Sequence, residues 1–212
     1  MLKMPENGDG LQGRAAASVL EEELCDTTRT LIHSRQSISP RRLTEPAPSA
    51  EQLLQLFDAA AAAPDHGLLN PWRFVIIPQD KRALLAEVFA LALIDRDPGA
   101  TPEQIETARE KAHRAPLLML AVARLGPAEP AIQPLERMVS LGCAIQNMLL
   151  LAHAMGFGAG LTSGQALSSP RMRTLFALTE GEQPVCFVNM GTVSKRKPQP
   201  SRPRAREFIS SL

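Results

Sequence analysis

No stretch of the chain reaches the roughly 18 uninterrupted apolar residues that a membrane-spanning helix needs, and the opening residues, Met-Leu-Lys-Met-Pro-Glu-Asn-Gly-Asp-Gly, lack the apolar core of an export signal. Neither a membrane partner nor export is expected. Cysteine is scarce. Cys25, Cys143 and Cys186 are odd in number and far apart, so they suggest neither a disulfide framework nor a cysteine-rich zinc site, and a reducing cytoplasm fits them best. There is no excess of charge of either sign. The 23 basic and 22 acidic residues leave +1, too little to draw a polyanion such as nucleic acid. A P-loop and internal repeats are missing as well. His33, His66, His113 and His153 do not pair at the spacing that puts two metal ligands on one helix face.

What is there suits one soluble globular domain. Apolar residues make up 44% and charged residues 21% of 212 positions, enough to bury a sizeable core. Residues 1–26 read as a flexible N-terminal extension and 27–212 as the folded domain with a basic tail, although the apolar spacing Val19, Leu20, Leu24, Leu31 and Ile32 already suits a helix up to Ser34. After a proline-punctuated loop, Ser49 caps a helix over Glu51–Ala62, with Gln52 placed as in a capping box. Phe74–Ile77 reads as a short strand, Asp80–Leu93 as a helix, and Pro102–His113 as a charged helix. Leu117–Ala123 is a continuous apolar run of central-strand length. Gly126–Pro134 reads as a mobile connection. Leu135–Met155 is a helix apolar nearly all round, which requires a central position or a homodimer interface. Gly156 is its natural C-cap. Ser169–Pro170 opens another helix, and Pro184–Met190 reads as a strand.

The segment Ala63–Phe74, A-P-D-H-G-L-L-N-P-W-R-F, stands out between its helix and its strand. Pro64 and Pro71 restrict the backbone, and Asp65 and Gly67 suit tight turning, so His66 and Asn70 are held rigidly, as a planar ligand requires. An ordinary helix-to-strand turn accounts for the same residues. The glycine cluster Gly156–Gly164 follows a helix and precedes a strand, the reverse of a dinucleotide fingerprint. Its backbone can therefore come close to a ligand, or simply pack tightly. Arg35 with Ser37 offers a planar fork and a hydroxyl suited to phosphate.

The order of R-x-S, E-P-A-P, A-P-D-H-x-x-x-N-P-W-x-F, A-P-L-L-M-L-A-V-A, C-A-I-Q-N-M-L-L-L-A-H-A-M-G-F-G and M-G-T, from about Thr28 to the C-terminus, resembles the nitroreductase family of flavin enzymes, most of all its compact YdjA-like subgroup. The resemblance implies an α+β fold, a central mostly antiparallel sheet wrapped by helices, and a homodimer with two FMN sites at the interface and the long helix central to it. It places Arg35 and Ser37 on the FMN phosphate, with Gln36 where many relatives carry a second arginine. It assigns His66 and Asn70 to the turn that contacts the flavin, and Leu161, Thr162 and Ser163 to the backbone beside the ring, Thr162 replacing a basic residue of close relatives. Arg202 and Arg204 resemble the basic pair that completes the phosphate clamp, a role for which Lys195, Arg196 and Lys197 compete. Two surplus residues around Pro40–Arg42 depart from the pattern. The implied activity is ping-pong hydride transfer from NAD(P)H to a nitroaromatic, quinone or similar small electron acceptor, with the flavin and no side-chain nucleophile, triad or metal carrying the chemistry. The rivals are an FMN-binding or storage module without useful turnover, and a family member specialised for one metabolite.

Overall fold

The computed structural model describes residues 9–126 and 132–212. The chain divides after Arg35 into an N-terminal helical unit and a larger unit beginning at Gln36. In the first, helix α1 spans Asp9–Ser34, with Arg29 Nη1 donating to Asp26 Oδ1 at 2.6 Å. The helix begins well before residue 26, where an extension was expected. Residues 1–8 of the expected extension and 127–131 of the expected mobile connection lie outside the described residues.

The second unit contains β1 (Leu43–Thr44), α2 (Ala50–Ala61), β2 (Trp72–Ile76), α3 (Arg82–Arg96), α4 (Pro102–Glu110), β3 (Leu117–Arg124), α5 (Pro134–Ala154), β4 (Gly158–Thr162), α6 (Pro170–Leu175) and β5 (Glu182–Val193). The strands form one antiparallel sheet in which β5 pairs with β3, β4 and β1, and β3 pairs with β2. This is the α+β architecture expected. The continuous apolar run of β3 follows from cover on both faces. Met119, Ala121 and Ala123 face the core formed with α2 and α5, whereas Leu118, Leu120 and Val122 face α3 and α6. β5 alternates in the same way, with Cys186, Val188 and Met190 on the α5 side and Phe187 on the other.

Helix ends obey local chemistry. Ser49 Oγ accepts from Gln52 N while Gln52 Oε1 accepts from Ser49 N, the reciprocal box read from the sequence. At the end of α5, Gly156 takes φ +89°, and Phe157 N donates to Ala152 O at 2.9 Å while Gly156 N donates to His153 O at 3.0 Å. This Schellman closure turns the chain directly into β4. Leu43–Thr44, read as loop, forms a strand because it pairs with residues about 150 positions away, which no local pattern reveals.

One ion pair ties the sheet across β3. Glu182, on β5, accepts from Arg73 Nε at 2.6 Å and Nη2 at 2.9 Å, and also from Thr179 N at 3.1 Å. Its side chain is 9% exposed, and the Arg73 hydrogen bonds pull its pKa from the usual 4.5 down to about 2, against the opposing effect of burial. A depressed carboxylate stabilises the fold fully above its ordinary pKa, and that contribution is lost as pH falls from about 4.5 towards 2. The urea midpoint should therefore decline through that window. Glu182→Gln should lower the midpoint at neutral pH and flatten the acid limb; a variant with the wild-type acid limb would show that the pair does not control it.

Candidate functional site

The A-P-D-H turn is held as the sequence implies. Gly67, Leu68 and Asn70 all take left-handed backbone, at φ +73°, +53° and +46°. For leucine and asparagine that conformation costs about 1 kcal/mol or more each. Asp65 offsets the cost, its Oδ2 accepting from Asn70 N at 2.6 Å, while Trp72 N donates to Asn70 O at 2.7 Å. Trp72, buried against α2 and α5, anchors the far end. Leu68 is left 84% exposed at the tip. His66 Nδ1 lies 3.2 Å from Glu136 Oε2 in the first turn of α5.

A second group gathers around β4. Ser37 bridges Ala159 in parallel, and Ile38 N donates to Ala159 O at 2.9 Å. The approach is so close that a Cβ on Gly160 would overlap the Ile38 carbonyl oxygen, which explains why glycine stands there. Ile38, Leu43 and Ala115 form a small core of their own that fixes this crossing segment. On β5, Asn189 is 2% exposed, and its Nδ2 donates to Gly160 O at 3.2 Å, Thr162 Oγ1 at 3.0 Å and Phe187 O at 3.3 Å. It sets the position of Thr162 at the strand end. Beyond it Ser163 and Gly164 leave the ladder and, with Thr162, line a cavity of about 390 Å³. Pro40, the helices α3 and α4 and the short turn Gln165–Ser168 complete its wall.

The structure thus brings Gln36 and Ser37 to the β4 segment that holds Leu161, Thr162 and Ser163, and it keeps His66 and Asn70 elsewhere. Thr162 pairs with Phe187, Phe187 with Leu120, and Leu120 with Val75. Three strand spacings, plus the five residues from Val75 back to Asn70, separate the two groups by roughly 20 Å. Arg35 closes the N-terminal unit, its N–H donating to Leu31 O at 3.3 Å. Arg202 and Arg204 lie in an exposed tail, where Arg204 N donates to Glu207 Oε1 at 3.0 Å and opens a short 3-10 turn. Lys195, Arg196 and Lys197 are exposed in the same tail.

Three residues escaped the sequence reading. Asn189 is the polar residue inside the apolar run Phe-Val-Asn-Met, a signal that a fixed hydrogen-bonding site was required. Arg82 sits at the start of α3 on the face of Leu85 and Ala86 and is 1% exposed. Arg114 lines the cavity just ahead of β3. Among the described residues, no group of histidine, cysteine, aspartate or glutamate side chains could hold a metal ion, and no helix is long and apolar enough to cross a membrane.

These features can be set beside known proteins. The nitroreductase family model matches residues 32–192. A protein of Haemophilus influenzae, provisionally named an NAD(P)H nitroreductase, is 34% identical over 184 residues, which span 86% of this chain and 98% of that one. YdjA of Escherichia coli K12, with the same provisional name, is 35% identical over 167 residues, 79% of this chain and 88% of its own. Among solved structures, a nitroreductase with bound FMN from Desulfitobacterium hafniense superposes with a TM-score of 0.61 at 21% identity, covering 87% of this chain and 97% of that one. With the fold, the family model and full-length relatives in agreement, the chain belongs to the nitroreductase family.

Proposed function

We propose that the protein is an FMN-dependent NAD(P)H oxidoreductase that reduces nitroaromatic, quinone or similar electron-poor small molecules by a ping-pong mechanism, as a cytoplasmic homodimer. The observation that carries this reading is the Ser37–Ala159 crossing, which lays Ser37 against β4 beside a glycine that admits no side chain. The residues fit such a cofactor: a hydroxyl beside the strand, a strand end whose next amides are outside the ladder, and a cavity opening there. Bound FMN would supply the acceptance and return of a hydride. Arg35 and Ser37 would hold its phosphate, with Gln36 adding no charge and Arg202 or Arg204 completing the clamp. The backbone of Leu161, Thr162 and Ser163 would offer donors to the ring. The protein itself needs no nucleophile or triad.

The distance of roughly 20 Å between the two residue groups supports a dimer, because the His66–Asn70 turn of a second copy can complete the site where its own cannot. The outward face of α5 offers a surface for that contact. Leu135 and Val139 are 79% and 66% exposed, and nothing stands within 4 Å of a Cβ built on Gly142. Leu149, by contrast, is covered by the chain's own core, so a charge there would probe folding rather than association. Val139→Glu is expected to give a folded monomer on light scattering; a variant that stays dimeric, or a monomeric wild type that retains FMN, would refute the shared site.

The activity itself is tested by colour and kinetics. The purified protein should be yellow, with FMN released on denaturation, and initial rates with NAD(P)H and a nitroaromatic or quinone should give parallel double-reciprocal lines. A colourless protein that takes up no added FMN would overturn the flavin reading. Absence of steady NAD(P)H oxidation would favour a binding module, and intersecting lines would contradict ping-pong order.

A further inference from the structure

Two segments of this chain lie outside the stretch that the family model matches, residues 32–192: most of α1 before it and a C-terminal tail after it. Their charges are opposite. Between Ser194 and Leu212 stand six basic residues and a single acid, Glu207, whose Oε1 already accepts from Arg204 N. Of the 23 basic and 22 acidic residues in the whole chain, 17 and 21 therefore lie elsewhere, so a tail of +5 follows a remainder of −4. α1 carries the only run of three consecutive acids, Glu21, Glu22 and Glu23. The residues of α1 from Ser18 to Thr30 and those of the tail from Ser194 onward are all exposed.

Apolar groups match as well. Leu20 and Leu24 are exposed one turn apart on one face of α1, where helical spacing sets Glu21 on one flank and Glu23 on the other. Leu24 and Ile32 line a shallow hollow there with Cys25. On the tail, Phe208 and Ile209 are exposed just beyond the last arginine, Arg206. Apolar groups left open together mark a contact surface, and the charges beside them select what meets it. An external polyanion would satisfy the basic residues alone and leave the leucines and glutamates of α1 open. A second copy of this chain satisfies both, because each copy brings one helix and one tail and a two-fold axis pairs them twice. The reach is sufficient. Pro198, Pro200 and Pro203 favour extended backbone, so the stretch from Ser194 to Phe208 spans up to roughly 40 Å at about 3.1 Å per residue, the length of α1 with its 26 residues at about 1.5 Å each.

We propose that the C-terminal tail of one copy docks on α1 of a second copy, with Phe208 and Ile209 against the Leu20–Leu24 face and the tail's positive charge along Glu21–Glu23. The docking rests on the self-association proposed above and reinforces it. Exposed ion pairs are individually weak, so the α5 contact still decides whether two copies hold together. The docking also steadies the segment from which Arg202 or Arg204 completes the phosphate clamp.

Cys25 is the exposed member of the three cysteines and borders the docking face, which gives a direct test on the wild-type protein. Labelled there with benzophenone maleimide and irradiated, the protein is analysed by denaturing gel and peptide mass spectrometry. The expected product is a band of twice the chain mass in which Cys25 is joined to residues 195–212. Its yield should fall several-fold when salt is raised from about 0.05 M to about 0.5 M, and in the folded triple variant Glu21→Lys, Glu22→Lys, Glu23→Lys. Tail links found only at single-chain mass, Cys25 joined elsewhere at double mass, a link indifferent to salt, or no link at all would each overturn the docking. In the last case, sedimentation with phosphatidylserine vesicles or with DNA would assign the tail to an external polyanion. Light scattering keeps the readings apart: a dimer without the link rejects the docking alone, a monomeric wild type rejects the dimer and the docking with it, and a colourless protein that gives the link rejects the flavin alone.

Discussion

Arg82→Met is expected to destabilise the protein by about 3 kcal/mol or more, which for a domain of this size lowers the melting temperature by roughly 6–12 °C. The guanidinium is 1% exposed and faces no carboxylate among the ion pairs of the described residues. It is satisfied by carbonyl dipoles instead. Nε donates to Ile77 O at 2.7 Å, Nη1 to Ala112 O at 2.6 Å and Ala115 O at 3.3 Å, and Nη2 to Pro116 O at 3.1 Å. Two effects compete. Removing the side chain relieves the cost of burying a charge, which is why its pKa is lowered. It also strands the carbonyls of Ile77, Ala112 and Ala115, each worth about 1–3 kcal/mol when left unpaired, whereas Pro116 O keeps the Gln79 Nε2 donor at 3.3 Å. Three stranded acceptors exceed one relieved cation, and Arg82→Lys should recover only part, because an ammonium cannot reproduce the fork. The same carbonyls bracket Arg114, so the variant should also loosen the cavity wall. A melting temperature within 2 °C of wild type would show that water replaces the guanidinium at no cost.

Gly160→Ala should be nearly as severe for stability and more severe for the cofactor. The added methyl would overlap the Ile38 carbonyl oxygen and lie 3.1 Å from its carbon. Both are backbone atoms, so no rotamer change can relieve the clash. The crossing segment must move away from β4, which breaks the Ile38 N to Ala159 O bond and carries Ser37 with it. Overpacking of this kind costs about 1–3 kcal/mol, and the lost bond adds about 1 kcal/mol. Gly164→Ala is the stability control, because nothing lies within 4 Å of a Cβ there. Denaturation midpoints and flavin content of the two variants give the answer. A Gly160→Ala protein as stable as the Gly164→Ala protein and fully loaded with FMN would separate this crossing from the site.

Much of this architecture is legible in the residues because local and tertiary forces agree there. The Ser49 box, the Gly156 closure and the apolar run Leu117–Ala123 each follow from neighbours a few positions away. The clamped turn at Asp65–Asn70 is equally open to reading, since proline, aspartate and glycine declare it. Legibility fails where a residue's reason lies far along the chain. Leu43–Thr44 is a strand only through Thr192 and Val193. Arg82 resembles any helix-surface arginine until Ala112, Ala115 and Pro116 fold over it. Apolar residues all round α5 called for a central position or a homodimer interface; on the single chain Leu135 and Val139 stand exposed, and periodicity cannot say which neighbour covers which side. The candidate site was found as separate motifs; that they fall into two groups on one chain became visible only through the strand registers.

The triple partnership of β5 also governs when the protein can be made. Its residues 182–193 supply the pairing edges for β3, β4 and β1, so a ribosome must deliver the chain through Val193 before the sheet can close. At about 5–20 residues per second, β3, complete at Arg124, waits roughly 3–14 s for its central partner. During that interval the apolar faces of β3 and α5 are without a principal cover. Uncovered faces of this kind are prone to aggregate, and a truncation just short of Glu182 would leave them uncovered indefinitely.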